Sequence, residues 1–358
     1  MTSISLEINN QLSKYEKIYN SIYQSTPGKI FAGNSQFVLD YKSISNSSEA
    51  DVFFSKYGVG NSIERANSPF ERRSAYELLL EILVSIDEVQ YHAIHKGTPY
   101  YFIGWTAYQN QDFAKSFFYM DAAVSEDLKF HSVQDKTSTR PSLDFFLLKS
   151  DPGPSGLAIH IEIKDVIIKT LQDYNISGGG LIRVEDFRDK FISDLLYNGA
   201  DGRSLLTALY TFLMEYEEKK KQILLRSDTG GSIQPFLDHL FDGARILESL
   251  LEKRGSGSGT LYPKITQTPE LGVTQSALLG QQTLADAELQ HDTLILSGRS
   301  FQDINFGTAY IIRNTTGHSL IWPDQFSSPT SYSKLCDSLI ASIFWSIENL
   351  WLRAIIND

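Results

Sequence analysis

The chain has 358 residues, of which 42% are hydrophobic, and a formal net charge of −11 at pH 7. This length exceeds that of one ordinary core and predicts two domains, and the hydrophobic fraction excludes global disorder. The negative charge argues against a protein that coats nucleic acid by bulk electrostatics, although an enzyme that contacts a few phosphates in a local basic cleft is compatible with it.

Cys336 is the only cysteine of the chain, which excludes an internal disulfide and a zinc cluster built from cysteines. Residues 1–7 lack the charged segment and the apolar stretch of a secretory signal. The longest apolar runs, such as residues 339–347, are far shorter than the roughly 20 residues of a membrane-spanning helix. We therefore expect a soluble, cytoplasmic protein with no membrane partner.

Residues 1–150 are predicted to form a helical domain with a sensor or interaction role. Apolar residues recur at helical spacing over 74–89, and the pattern over 100–127 predicts two helices joined by a tight turn at 110–112. The positions that carry this second pattern are Ile103, Gly104, Ala107, Asp112, Phe113, Ser116, Met120 and Ala123. They resemble one tetratricopeptide unit, but stacking needs about three units and no second clear copy is present. An ordinary helical hairpin in an α-domain is the alternative.

Residues 149–156 contain two prolines and two glycines and predict a linker between the domains. The stretch that follows, 157–163, alternates apolar and polar side chains as a strand does, whereas 166–171 continues with helical spacing. A short β-hairpin near 143–163 therefore stays open, with a helix favoured over 157–171.

Residues 157–358 are predicted as a second, mainly helical domain, so that the whole chain is all-α. Apolar stripes at helical spacing indicate successive helices. The expected helices are a first one beginning at Val184, then 204–225, 235–254, 283–296, 301–313 and 331–352. The Gly-Ser repeat at 255–259 ends the third helix and begins a polar loop that we expect to extend over 255–283.

The most chemically informative segment of the chain is residues 313–318, with the sequence RNTTGH. It resembles the Arg-x4–6-His motif of the HEPN superfamily, whose active members are mostly ribonucleases. The resemblance extends to the order of elements over 160–358: long helices, then the motif, then one closing helix. It implies a HEPN-like helical bundle and a metal-independent endoribonuclease that needs no cofactor. Arg313, His318 and Asn314 would be its catalytic residues.

The chemistry of RNA cleavage explains why these residue types occur together. Attack by the 2′-hydroxyl requires a base, an acid and positive charge beside the phosphate. A histidine such as His318 can fill either proton role, and Arg313 can hold two phosphate oxygens. Asn314 can donate a hydrogen bond to the phosphate or orient the histidine. One chain offers one titrating group, and HEPN protomers join their motifs across a two-fold axis, so the resemblance implies a homodimer through the C-terminal domain.

Arg313 and His318 are five residues apart and cannot share one face of a regular helix. Because the residues between them, which end in Gly317, favour a helix end, we expect Arg313 in the last helical turn and His318 in the turn beyond it. The structural alternative is that Arg313 interacts with the helix dipole and His318 lies on the surface or caps the helix.

Several further positions bear on the comparison with the superfamily. HEPN toxins that are paired with nucleotidyltransferase antitoxins often carry a tyrosine two places after the histidine. Leu320 occupies that place here, so regulation through that tyrosine is not supported. Many members have an apolar residue before the histidine, where this chain has Gly317. The superfamily also often uses an acidic residue on an earlier helix, for which Glu248 and Glu252 are the candidates.

Other clusters carry weaker signals. His92 and His95 are three residues apart and could bind a metal if both were helical, but the sequence places no carboxylate or cysteine beside them, so we expect no metal. The glycines at 178–180 lack the Lys-Ser/Thr of a phosphate-binding loop and predict a turn.

The function that the resemblance implies is cleavage of an RNA substrate by a toxin or antiviral defence effector. Its N-terminal domain would bind a protein or small-ligand activator. The alternative is a non-catalytic helical scaffold protein that acts only through protein–protein interactions.

Overall fold

The computed structural model describes residues 4–24, 26, 28–60, 69–131, 141–149, 157–225, 232–278, 284–316 and 329–353. Throughout these residues the chain is all-α and no strand is present, which confirms the predicted fold class. None of the helices in these ranges combines the length and the apolar character that crossing a bilayer requires.

The chain divides into two compact units, which are described separately below. Unit 1 comprises Met1–Phe145 and Asp151–Ile159, and unit 2 comprises Phe146–Ser150 and His160–Asp358. Two helices contribute residues to both units, namely α8 (Pro141–Phe146) and α9 (Leu157–Ile176).

Unit 1 is built on an aromatic core. Its other helices are α1 (Leu6–Tyr23), α2 (Asn34–Lys42), α3 (Ser47–Tyr57), α4 (Pro69–Ile86), α5 (Glu88–Ala93), α6 (Gly97–Gln109) and α7 (Phe113–Phe130). Tyr15, Tyr19 and Tyr23, spaced four apart on one face of α1, donate their hydroxyls to the main-chain carbonyls of residues 57, 56 and 58 at 2.5, 2.8 and 3.0 Å. These bonds satisfy carbonyls that the end of α3 leaves without helical partners.

The helical pair predicted over 100–127 is present as α6 and α7. The turn lies at 110–112, where Gln111 has a positive φ of 59° and the side chain of Asp112 accepts the main-chain N–H of Lys115 to cap α7. A Cβ at Gly104 would lie 3.0 Å from the carbonyl oxygen of Ser116, so a small residue is required where the two helices cross. The helical hairpin is therefore confirmed, with the small residue at the crossing.

Unit 2 is a bundle of long helices joined by shorter helical turns. Its further elements are α10 (Val184–Asp186), a π-helical turn (Phe187–Ile192), α11 (Ser193–Tyr197), α12 (Ala200–Leu224), α13 (Gln234–Arg254), α14 (Leu261–Thr266), 3-10 turns (Pro269–Leu271 and Gln275–Leu278), α15 (Leu284–Leu296), α16 (Phe301–Thr316), α17 (Pro329–Ile347) and a π-helical turn (Glu348–Leu352). The long helices expected at 204–225, 235–254, 301–313 and 331–352 are thus confirmed, each to within a few residues.

Two expectations require correction. The β-hairpin left open near 143–163 is not formed by the described residues of that range, because both segments are helical. Ile163 and Ile167 are buried four residues apart while Ile161 is 49% exposed, so helical burial overrides the short alternation. The loop expected over 255–283 contains α14 and two 3-10 turns, because apolar residues such as Leu261 and Ile265 bury themselves one helical turn apart.

Candidate catalytic site at the end of α16

The end of α16 carries the first residues of the predicted motif. Phe306, Ala309 and Ile312 form the buried face of this helix in unit 2. Arg313 follows them in the last turn, 30% exposed, where its charge complements the carbonyl end of the helix dipole. The prediction that Arg313 lies in the last turn is confirmed.

Arg313 is held by an acidic residue of a neighbouring helix. Its Nε donates to Oε2 of Glu248, on α13, at 2.7 Å, and its guanidinium carbon lies 5.3 Å from the centre of the Phe241 ring. Glu248 is 17% exposed, so the pair is partly shielded from water. Of the two acidic candidates, Glu248 is therefore the one that contacts Arg313.

A buried lysine continues this line of charges. Nζ of Lys264, on α14, lies 3.7 Å from Oε1 of Glu248 and donates to Oε2 of Glu252 at 2.9 Å. Lys264 is 5% exposed, whereas Glu252 is 72% exposed, and the bond from Lys264 lowers the pKa of the Glu252 carboxyl. The charges of these four side chains thus alternate in sign and their formal sum is zero, in the order Arg313, Glu248, Lys264 and Glu252.

The guanidinium of Arg313 keeps donors for a ligand. Its Nε makes the one hydrogen bond found among the described residues, and Nη1 and Nη2 make none to that part of the chain. These nitrogens form the part of the guanidinium fork that binds two oxygens of a phosphate or carboxylate. An oxyanion at this position would thus be bound by a side chain whose orientation Glu248 already fixes.

For the other two residues of the motif, the structure gives no side-chain contacts comparable to those of Arg313. Asn314 follows Arg313 on α16 and is partly buried, with its side chain unbonded to the residues that the structure describes. His318 and the bend expected at Gly317 lie outside the described residues. The structure therefore brings Arg313 together with Glu248.

A cavity of about 780 Å³ in unit 2 forms a separate polar site. Its walls include Tyr216, Lys220, Lys334 and Asp337, and Arg313 does not line it. Tyr216 donates to Oδ1 of Asp337 at 2.5 Å, and burial raises the pKa of the Asp337 carboxyl. The lysines and this carboxyl could bind a small polar ligand, but the predicted motif contributes no described residue to the cavity.

A histidine that the sequence does not single out lies in the core of unit 2. His239 is 2% exposed, its Nε2 donates to the carbonyl of Phe212 at 2.8 Å, and its Nδ1 accepts the hydroxyl of Tyr332 at 2.8 Å. Burial lowers the pKa of His239 to about 4, so the imidazole is neutral at physiological pH. Its role is structural, because both nitrogens are satisfied within the core.

His92 and His95, the two histidines named from the sequence as possible metal ligands, lie in different environments. His92 lies near the end of α5 and is exposed, whereas His95 lies after that helix and is 5% exposed. The fold brings two distant residues close to His95, namely Asp127 in the last turn of α7 and His131 just after that helix. Burial alone would lower the pKa of His95, but hydrogen bonding and charge from Asp127 and Asp51 outweigh it and raise the pKa to about 9.

The class that fold and site define is an all-α protein of two helical units, with an Arg–Glu pair at the end of one helix of unit 2. No family model matches the chain, and comparisons with curated proteins and with solved structures give no match. The likeness of residues 313–318 to the HEPN motif therefore depends on those residues and on the order of the helices around them.

Proposed function

We propose that unit 2 is a metal-independent endoribonuclease of the HEPN type. The observation that carries this proposal is the bond of 2.7 Å from Arg313 to Glu248. It joins the motif arginine to one of the two acidic residues named from the sequence and leaves Nη1 and Nη2 for a phosphate. Arg313 would bind the scissile phosphate, His318 would transfer protons, Asn314 would add a hydrogen bond, and Glu248 would position Arg313.

The reaction is an internal transesterification. A base takes the proton of the 2′-hydroxyl, the 2′-oxygen forms a bond to phosphorus, and the bond to the 5′-oxygen breaks as an acid protonates that oxygen. The products are a 2′,3′-cyclic phosphate and a 5′-hydroxyl. Negative charge grows on the non-bridging oxygens in the transition state, where the donors of Arg313 stabilise it. This chemistry requires no metal ion.

Two copies of the chain would complete the site. The base and the acid are two groups, while each chain provides one motif histidine, so we expect a homodimer with His318 of both protomers in one cleft. A mixture of wild-type protein with an equal amount of His318→Ala protein tests this arrangement. If each cleft needs both histidines, cleavage falls to roughly a quarter of the wild-type rate after the subunits exchange, rather than to half.

Two tyrosines near Arg313 offer a surface on which a nucleobase of the RNA could stack. Tyr310 lies three residues before Arg313, which places it on the same side of α16. Its ring centre is 5.9 Å from that of Tyr262 on α14, and both side chains are partly buried. Aromatic rings of this kind stack with unpaired bases, which favours single-stranded RNA as the substrate.

The decisive experiment measures cleavage of single-stranded RNA by the full chain in EDTA, with and without cell extract as a source of an activator for unit 1. We expect products that end in cyclic phosphate, and loss of cleavage in Arg313→Ala and in His318→Ala. Arg299→Ala and His92→Ala are matched controls, because these residues are exposed and lie outside the site. Cleavage that survives both motif changes would overturn the assignment, and a folded protein inactive under both conditions would favour the scaffold alternative.

A further inference from the structure

A second group of chemically active side chains lies within unit 1. His95 lies between α5 and α6, Asp127 lies in the last turn of α7, and His131 follows that helix. One imidazole nitrogen of each histidine and one carboxylate oxygen of Asp127 all lie within 4.8 Å of one another. Nε2 of His95 lies 3.0 Å from Oδ1 of Asp127. Three donors from two separate segments therefore lie close together.

The second ring nitrogen of His95 faces another carboxylate. Nδ1 lies 3.7 Å from Oδ1 of Asp51, on α3, and has no hydrogen-bond partner among the described residues although the side chain is 5% exposed. A histidine that binds a metal through one nitrogen commonly directs the other toward a carboxylate, which fixes the ring and raises its basicity. Asp51 is placed for that role, and Thr98 holds it by donating to the same Oδ1 at 3.1 Å.

Glycine keeps the space between the donors open. A Cβ at Gly97 would lie 2.7 Å from Nε2 of His95 and 2.9 Å from Oδ1 of Asp127. Any other side chain would enter the position where these two atoms converge. The donors also border a cavity of about 400 Å³, whose walls include Asp51, Tyr76, Tyr101 and Ser142. An ion held there would have an accessible side toward this cavity.

Neighbouring contacts fix the segment that carries His95. The main-chain N–H of Lys96 donates to Oε2 of Glu126 at 2.9 Å, and its Nζ lies 3.1 Å from the same oxygen. Lys96 is 3% exposed, and its Nζ also donates to the carbonyl of Ile94 at 2.7 Å. Because Lys96 and Glu126 adjoin His95 and Asp127 in the chain, these bonds hold the donors in register before any ligand binds.

We propose that His95, Asp127 and His131 form a binding site for one divalent transition-metal ion, with zinc as the expected occupant. Two imidazoles and one carboxylate suit zinc and its first-row neighbours, whereas magnesium and calcium prefer oxygen donors alone. Ligand atoms bound tetrahedrally to zinc are about 3.3 Å apart. The separation is 3.0 Å between His95 and Asp127 and at most 4.8 Å across the three donors, so His131 closes in when the ion binds. Asp51 positions His95 from its other nitrogen.

The test uses the full chain, treated with chelator and then dialysed free of it. Zinc binding is measured by equilibrium dialysis and calorimetry, and cobalt binding by visible absorption. We expect one ion per chain in the wild type, and at least about a 10-fold lower affinity in His131→Ala. His131 is partly exposed, and its side chain makes no hydrogen bond to the described residues, so this change leaves the fold intact.

His92→Ala is the matched control, because His92 is an exposed histidine near the same segment but outside the cluster. It should bind zinc as the wild type does, and Asp51→Asn should bind it more weakly while keeping one ion per chain. Equal affinities in His131→Ala and His92→Ala, or no binding by the wild type in excess zinc, would overturn the proposal. In that case His95 and Asp127 form a buried ion pair alone. The result is independent of RNA cleavage, which is assayed in EDTA.

Discussion

Arg313 and Glu248, 65 residues apart in the chain, meet through one hydrogen bond of 2.7 Å between Nε and Oε2. Both side chains keep part of their surface in water, at 30% and 17% exposure. A pair in such surroundings contributes on the order of 1 kcal/mol to stability, because solvent screens the attraction. Its larger expected effect is on orientation, since it holds the guanidinium through Nε alone.

Glu248→Gln should therefore lower RNA cleavage much more than it lowers stability. The amide retains the size of the side chain and an acceptor oxygen but loses the charge that holds Arg313. We expect single-turnover cleavage to fall by at least about 10-fold, because misplacement of a phosphate ligand raises the barrier. The free energy of unfolding, measured in urea, should change by only about 1 kcal/mol.

Glu252→Gln is the matched control for this change. Glu252 lies one turn further along α13, is 72% exposed, and bonds to Lys264 rather than to Arg313. Its replacement should leave cleavage at the wild-type rate. If both glutamine variants cleave equally well, Glu248 has no part in positioning Arg313.

The sequence alone could not decide whether Glu248 or Glu252 contacts Arg313. The two residues are four apart and share one face of α13, so helical periodicity treats them alike. Only the packing of α16 and α14 against α13 decides that Glu248 contacts Arg313 while Glu252 contacts Lys264. The position of Arg313 itself was predictable, because residues 315–317 carry a local signal for a helix end.

The same distinction between local and long-range information applies to the rest of the fold. The helix predicted at 235–254 is found at Gln234–Arg254, because Pro235 and Gly255 mark its ends locally. The grouping of His95 with α7 depends on contacts between distant segments. Helical spacing could not have placed His131 beside Asp127, because His131 follows α7 with an extended backbone, at φ −128° and ψ 145°.

The glycine turn at 178–180 predicts a contrast between two substitutions. A Cβ at Gly180 would lie 1.9 Å from Oε2 of Glu348, a buried carboxylate that accepts the hydroxyl of Tyr174 at 2.8 Å. Gly180→Ala should displace this carboxylate and cost roughly 2–3 kcal/mol. Gly178 has a φ of +89° with nothing within 4 Å of its Cβ position, so Gly178→Ala should cost about 1 kcal/mol in backbone strain alone. Urea denaturation measures the free energy of unfolding of both variants. Equal losses would show that contact with the Glu348 carboxylate is not what excludes a side chain at position 180.

Because burial lowers the pKa of His239, we expect the protein to lose stability in mild acid. Burial lowers the pKa of His239 from 6.5 to about 4, so below pH 6.5 the unfolded chain takes up a proton that the folded chain does not. The free energy of unfolding should therefore fall by about 2 kcal/mol from this residue between pH 7.5 and pH 5. Stability is lost as the pH falls, with the full loss reached near pH 4.

His239→Gln isolates this contribution. A glutamine can donate to the carbonyl of Phe212 and accept from the hydroxyl of Tyr332, but it does not titrate. Burial also lowers the pKa of His160 to about 4, and this residue stays in both proteins. The difference in pH dependence between the variant and the wild type, measured by urea denaturation at both pH values, therefore reports His239. An identical pH dependence would show that His239 does not control it.

Arg313→Lys separates the shape of the guanidinium from its charge. Arginine can use Nε for Glu248 and keep Nη1 and Nη2 for a phosphate, whereas the single nitrogen of lysine must serve both partners. We expect single-turnover cleavage to fall by about 100-fold, with the free energy of unfolding changed by about 1 kcal/mol or less. Adding Glu248→Gln to Arg313→Lys should restore part of the activity, because the lysine is then free to bind the phosphate. A single Arg313→Lys variant that cleaves within about 3-fold of the wild type would show that charge alone suffices at this position.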